Sequence, residues 1–414
     1  MSSKYLCLLL SAGILLKPFS AEKRNDNSDP ETNDRRGKQF SFFQVIQFPN
    51  EACNGTGTGS GTCYTGQECT TRNGASIGPC ANGFGVCCAF SISCGGTSAE
   101  NLTVFTDANI PTGMGDCTVR ICPANDNICQ LRLDFDRFQI SGPSTITTSV
   151  TQIQNGQAGA LGTENSEVSQ CNMDRFEVSS GSGVRPPIIC GLNTGQHVFV
   201  DADSVCNALS FQFGPTTTMR TFQIRVTQYA CDSPNLAPSG CTQFFTNPSG
   251  TVQTFNFGNG HLADQNQVMC VRQTQNSCRI CWTTAMAIDF DVSGSATSGI
   301  GGGVGPTLSG VTSCCAPNTA GNNLQGLDCL SLPLAENAAG TANARSRFCG
   351  RKAGLSSVAV INLTICSRSS PFRAVFRSNG FEVTDSVVTP VLATSESTNK
   401  DNGVKLIYFQ DSVN

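Results

Sequence analysis

The chain has 414 residues, only 14% of them charged, and its 26 Lys and Arg against 30 Asp and Glu leave a net charge of −4. That balance provides neither a basic stripe for phosphates nor a polybasic patch for anionic lipid, which argues against nucleic acid and membrane surfaces as partners. Richness in Gly, Ser, Thr, Asn and Phe, with few Lys, Glu and Leu, favours strands and turns over helices.

Lys4 precedes an apolar stretch from Tyr5 to Leu16. Its length suits a signal-peptide core and falls short of a bilayer of roughly 30 Å, so residues 1–20 are expected to be a signal peptide, and membrane insertion is not expected. Residues 21–41 carry many charges and few aliphatics, the composition of a disordered arm. Lys23-Arg24 and Arg35-Arg36 within it are dibasic pairs, read either as processing sites or as part of a solvated arm.

All of the 24 cysteines except Cys7 lie downstream of the leader, and the next six form a tight array: Cys53-x9-Cys63-x5-Cys69-x10-Cys80-x6-Cys87-Cys88. Thiols at this density belong to an oxidising, extracellular compartment. A unit spanning 42–92 has too little core to stand without covalent support, so disulfides are expected to hold it. Six cysteines alone allow 15 connectivities.

Beyond Cys94 the pattern changes to strands of alternating polarity. Leu131, Leu133 and Phe135 alternate with Arg132 and Asp134, Phe176 pairs with Val178, and Leu209, Phe211, Phe213 and then Phe222, Ile224, Val226 repeat the period of two. This pattern implies half-buried antiparallel sheet, and several such strands make a β-sandwich. A second block starts at Cys231 and contains Phe290 and Val292, the run from Ala359 to Ile365, and Phe372 to Phe381. Val404–Phe409 (VKLIYF) falls in a C-terminal tail, 389–414, and is read as an added strand or as an exposed apolar end.

Catalysis finds little material. A hydrolytic triad needs a His in reach of a nucleophile and an orienting acid. The only two histidines, His197 in a strand-like run and His261 after Gly258-Asn259-Gly260, have neither an Ala-Ala-His-Cys setting nor a Gly-Asp-Ser-Gly-Gly partner segment. A surface or structural role is expected for both, and the chain is not expected to be an enzyme.

Two resemblances organise these observations. The six-cysteine array, with Gly61-Thr62-Cys63 and the closing Gly85-Val86-Cys87-Cys88, resembles the arthropod clip domain. That resemblance implies pairing of Cys53 with Cys87, Cys63 with Cys80, and Cys69 with Cys88. The segment Cys171-Asn172-Met173-Asp174-Arg175-Phe176-Glu177-Val178, followed by Cys190-Gly191, resembles the CUB domain, as do Cys94-Gly95-Gly96 and Cys129-x-Leu131-x-Leu133. The family motif implies a Cys171 to Cys190 bridge. Gly240-Cys241, Cys278-Arg279-Ile280-Cys281-Trp282 and Cys349-Gly350 resemble a second, more degenerate copy. The chain thus resembles secreted arthropod CUB proteins: an all-β protein with a clip-like disulfide module at 42–92 and CUB-like, jelly-roll-type sandwiches at 93–230 and 231–388.

Grouped this way the cysteines number six, seven and ten. The odd one is assigned to the first sandwich, where Cys206 either pairs across the domain boundary or leaves a thiol for a disulfide-linked dimer. Many CUB domains hold calcium through three carboxylates, and Asp174 with Glu167 or Glu164 are the candidates here. The usual third position reads Gly214-Pro215-Thr216, so Asp174 is read either as a calcium ligand or as an acceptor for amides of its own loop, and no cofactor is assigned. Asn54, Asn101 and Asn362 begin Asn-x-Thr sequons and are candidate glycosylation sites. The expected function is extracellular, non-enzymatic recognition of a protein or glycan. The alternatives are a structural component of extracellular matrix or cuticle, and regulation of extracellular proteolysis through the clip-like module.

Overall fold

The structure is a computed structural model that describes residues 47–57, 59–144, 164–165, 169–215, 219–286, 289–292, 328–340, 346–348, 364–379, 382–383 and 402–411. The expected signal peptide and arm, Asn362 and Glu167 lie outside the described residues.

The disulfide module is a four-stranded sheet with one short helix. Strands β1 (Ala52–Asn54), β2 (Ser60–Tyr64), β3 (Ala75–Cys80) and β4 (Gly85–Ala89) are ordered β1-β2-β4-β3, and α1 (Gly66–Thr71) follows β2. Thr65 starts the helix with a capping box, its hydroxyl accepting from the Glu68 amide while the Glu68 carboxylate accepts from Thr65 N. Cys53–Cys87 and Cys69–Cys88 tie β1 and the helix to β4, and Cys63–Cys80 ties β2 to β3. Among the described residues, apolar packing beyond them comes from Tyr64, Phe90, the partly buried Val86 and their cysteine neighbours, so covalent links replace a core too small to form. Tyr64 also anchors the module to the first sandwich, since its hydroxyl and Arg72 both bind Glu100.

The first sandwich comprises β5 (Ser91–Ile92), β6 (Thr97–Ser98), β7 (Thr103–Thr106), β8 (Gly115–Ile121), β9 (Ile128–Gln139), β10 (Glu164–Asn165), β11 (Asp174–Val178), β12 (His197–Asp201), β13 (Asn207–Phe213) and β14 (Thr221–Ala230). One sheet is ordered β12-β9-β14-β7-β5 and the other β11-β13-β8-β6. The alternation in the sequence places Leu131, Leu133, Leu209, Ile224 and Val226 between them, together with a cluster of phenylalanines. Phe211 lies at its centre, 4.2 Å from Phe222 of the facing sheet and 4.6 Å from Phe176 of its own. Such stacked and tilted contacts add to area burial.

The second sandwich comprises β15 (Gln243–Phe245), β16 (Ser249–Gln253), β17 (Asn266–Val271), β18 (Arg279–Thr283), β19 (Phe290–Asp291), β20 (Cys329–Ser331), β21 (Ala335–Asn337), β22 (Arg347–Phe348), β23 (Ile365–Ser367), β24 (Phe372–Arg377), β25 (Glu382–Val383) and β26 (Gly403–Asp411). Its sheets run β15-β17-β24-β20-β22 and β16-β26-β18-β23-β21, around Trp282, Tyr408, Phe372 and Phe376. The segment expected in a C-terminal tail is therefore an interior strand: β26 pairs with both β16 and β18, and Val404, Leu406 and Tyr408 are buried. Alternation of Val404, Leu406 and Tyr408 with Lys405 and Ile407 suits a strand with one face on the core.

The expectation for Cys206 is also corrected. Cys206 bonds Cys122 within the first sandwich, beside the pairing of Ile121 with Asn207. Cys231 supplies the missing partner instead, bonding Cys129 at the far ends of the adjacent strands β14 and β9. A boundary at 231 assigns this cysteine to the wrong sandwich. With Cys94–Cys117 and Cys171–Cys190 the first sandwich has no odd thiol, and every described cysteine is disulfide-bonded. The Cys129–Cys231 bridge closes 102 residues of chain. Replacing both cysteines with serine is expected to destabilise the protein by about 2–4 kcal/mol, measurable as a lower denaturant midpoint.

Candidate interaction face

One end of the first sandwich is organised around a buried ion pair. Asp174 opens β11 and Arg220 immediately precedes β14, with side chains 0% and 4% exposed. Arg220 Nε donates to Asp174 Oδ2 at 2.9 Å and Nη2 to Oδ1 at 2.8 Å, a planar fork on a carboxylate. Its remaining N–H groups reach the carbonyls of Pro111, Gly113 and Gly214, and the guanidinium carbon lies 4.4 Å over the Phe213 ring. All five guanidinium N–H groups are thereby used. The carboxylate is equally saturated, since the amides of Ser141 and Gly214 donate to its two oxygens. Burial pulls the Asp174 pKa upward, but the Arg220 bonds and these two amides outweigh it and hold the group below the usual carboxylate range.

The expected calcium role of Asp174 does not fit this geometry. Calcium requires six to eight oxygen ligands, whereas both Asp174 oxygens already accept two N–H donors and a guanidinium occupies the cation position. Nor do the accepted amides come from the aspartate's own loop; they come from segments flanking β9 and β13. Among the described residues, no three of His, Cys, Asp and Glu are grouped to hold a metal. Glu164 is placed in β10, which pairs with β25.

Arg220 thus knits together three loops, each of which bears a methionine directly beside Arg220 or a residue it binds. Met114 follows Gly113, Met173 precedes Asp174, and Met219 precedes Arg220, with exposures of 72%, 38% and 77%. The sequence signal for Arg220 is slight: an arginine at the start of the closing strand, 46 residues from its partner.

The second sandwich repeats the arrangement with a histidine in place of the arginine. Asp328, just before β20, binds His261 Nε2 through Oδ2 at 2.8 Å and accepts the Asn379 amide on Oδ1 at 2.9 Å. Both side chains of the His–Asp pair are 1% exposed, so no substrate could reach them. His197 is also buried, at the junction of the sandwiches. Its Nε2 lies 3.0 Å from Phe244 N, which donates to it, and 3.1 Å from Phe244 O. Of the sequons, Asn54 is exposed on β1. Asn101 is partly buried, its Oδ1 accepting from Leu102 N and Gln228 N, and Thr103 is buried.

Residues 238–411 match the family model of the animal CUB domain. No curated protein matches. Among solved structures, the CUB1-EGF-CUB2 domains of rat MASP-1 align at 11% identity and a TM-score of 0.22, covering 78% of this chain and 99% of that one. The CUB1-EGF-CUB2 domain of human MASP-1/3 aligns at 12% and 0.22, covering 74% and 98%. The full extracellular region of zebrafish Gpr126/Adgrg6 aligns at 12% and 0.21, covering 79% of this chain and 34% of that chain.

The matched segment begins just before β15, so the His197 contact joins it to the preceding sandwich. Burial, and then the charge of Arg132, bring the His197 pKa down from 6.5 to about 4. Protonation would remove the acceptor for Phe244 N. Because the folded pKa lies below the unfolded one, the unfolded chain binds the extra proton between these values, and stability falls as pH drops from 6.5 towards 4. The expected loss is about 3 kcal/mol, read from denaturant unfolding across that range. His197→Gln should flatten this slope, and an unchanged slope would show that another group sets it.

Proposed function

We propose that the protein is a secreted, non-catalytic binding protein that recognises a protein partner through the loop end of its first sandwich. The observation that carries this reading is the trio Met114, Met173 and Met219, exposed on three loops that one buried arginine holds together. Methionine side chains are flexible and polarisable, which suits them to apolar protein contacts. Loops fixed by a rigid β scaffold lose little entropy on binding. The two charges at the centre of this face neutralise each other inside it. Apolar anchors of this kind favour a protein partner over a glycan.

Secretion is supported by the density of disulfides. No helix among the described residues is long and apolar enough to cross a membrane. The animal CUB match at 238–411 agrees with an interaction role. The non-catalytic reading is supported by both histidines, each engaged in a buried structural contact.

The test is affinity capture from extracellular fluid with the intact chain and with a Met114→Glu/Met219→Glu double variant, read by quantitative mass spectrometry. Both positions are exposed, so the variant should unfold at the same midpoint. Partner recovery should fall at least about tenfold, the effect of losing anchors at an interface. Equal recovery of the same partners by both proteins would sink this placement of the binding face.

A further inference from the structure

The two buried aspartates occupy the same place in the two sandwiches. Asp174 of β11 lies opposite Phe213 of β13 and accepts the amide of the next residue, Gly214. In the second sandwich Cys329 pairs with Arg377, so Asp328, one residue earlier, falls opposite Ser378 and accepts the amide of the next residue, Asn379. Each aspartate also binds a cationic or potentially cationic side chain brought from elsewhere, Asp174 taking Arg220 on both oxygens and Asp328 taking His261 on Oδ2. Arg220 comes from the residue just before β14. His261 comes from the segment between β16 and β17 and is packed 6.0 Å from the Phe376 ring.

We propose that Arg220 and His261 are built-in replacements for a loop cation, so that neither sandwich binds calcium through its aspartate and the loop ends are assembled by the chain alone. Three features support it. The Asp174 oxygens have no acceptor capacity left, with four N–H donors in place. Guanidinium remains charged at any physiological pH, so the lock on the first sandwich does not vary with calcium supply. A calcium ion at Asp174 would have to displace a buried arginine and strand its five donors, a cost that a single carboxylate cannot offset. At Asp328 an ion would likewise have to displace a His ring that is 1% exposed. The proposal goes beyond the binding function above and stands apart from it, because its test requires no partner.

The experiment uses the full chain after chelation with EDTA, with and without millimolar calcium, followed by thermal unfolding and by hydrogen exchange of peptides covering Gly214 and Asn379. A calcium site near saturation would raise the midpoint by about 5–10 °C. The expected result is the same midpoint and the same protection in both buffers. A calcium-dependent rise accompanied by changed exchange at Gly214 or Asn379 would overturn the proposal. A rise with unchanged exchange there reports an ion bound elsewhere and leaves both aspartate locks as described. Arg220→Gln should lower the midpoint by about 5–10 °C in either buffer, and an unaltered midpoint would remove Arg220 from the role of cation.

Discussion

The outer edge of β12 is the constraint on which the arrangement of the two sandwiches depends. A strand at the border of a sheet leaves a row of backbone donors and acceptors without partners, and here the second sandwich supplies them. Phe199 N donates to Thr242 O at 2.8 Å, and two residues along the facing segment Phe244 N donates to the His197 ring. The border strand β15 of the other five-stranded sheet thus closes the border of the first. This explains why His197 through Val200 are all buried instead of alternating. Val198 and Val200 enter the sandwich core, while Phe199 packs with Ala237, Phe244 and the Cys241–Cys270 bridge.

Around this contact runs a chain of buried amides. Gln267 donates to Gln243, Gln243 to Gln196, and Gln196 to Asn193, whose Oδ1 also accepts the Asn256 amide. Each member would be costly if left alone in the interior, so the set is stable only when both sandwiches are in place. Gly191 shows how close the approach is: its φ is +77°, and a Cβ there would collide with the Asn256 amide. Phe255 and Leu262, from the second sandwich's own chain segment, complete the first sandwich's core. Separating the two would therefore expose apolar area and strand polar groups together.

These features differ in how far a sequence can reveal them. Alternation at Leu131 to Phe135 and Leu209 to Phe213 is legible because those strands are long and have one face on the core. Strands of three residues such as β20, β21 and β23 carry too few periods to stand out. The role of Val404–Tyr408 is hidden because its neighbour β16 lies about 150 residues earlier, in register Val252 with Leu406, and local pattern holds no information on pairing at that distance. Cys231 is misleading for a related reason: a strand and the cysteine just past it belong to one sandwich, yet cysteine spacing suggests a new block. The motif aspartate is legible at Asp174, but its partner is not, since charged side chains are seldom fully buried and nothing local marks Arg220 as an exception.

The two aspartates also show what a sandwich end requires. At such an end, strands terminate and amides such as those of Gly214 and Asn379 face inward without a strand to receive them. A carboxylate can accept them, but a buried negative charge without a counter-charge is unstable. A further donor must then complete the set, and its identity decides how many neighbouring segments it also holds. A guanidinium satisfies the carboxylate and additionally gathers three carbonyls from two other segments, so it organises the loops as well as neutralising the charge. An imidazole offers two N–H groups at most, and His261 meets its aspartate through a single nitrogen. The same backbone register therefore receives a guanidinium at one loop end and an imidazole at the other. The exposed methionines Met114, Met173 and Met219 flank the end that Arg220 ties together.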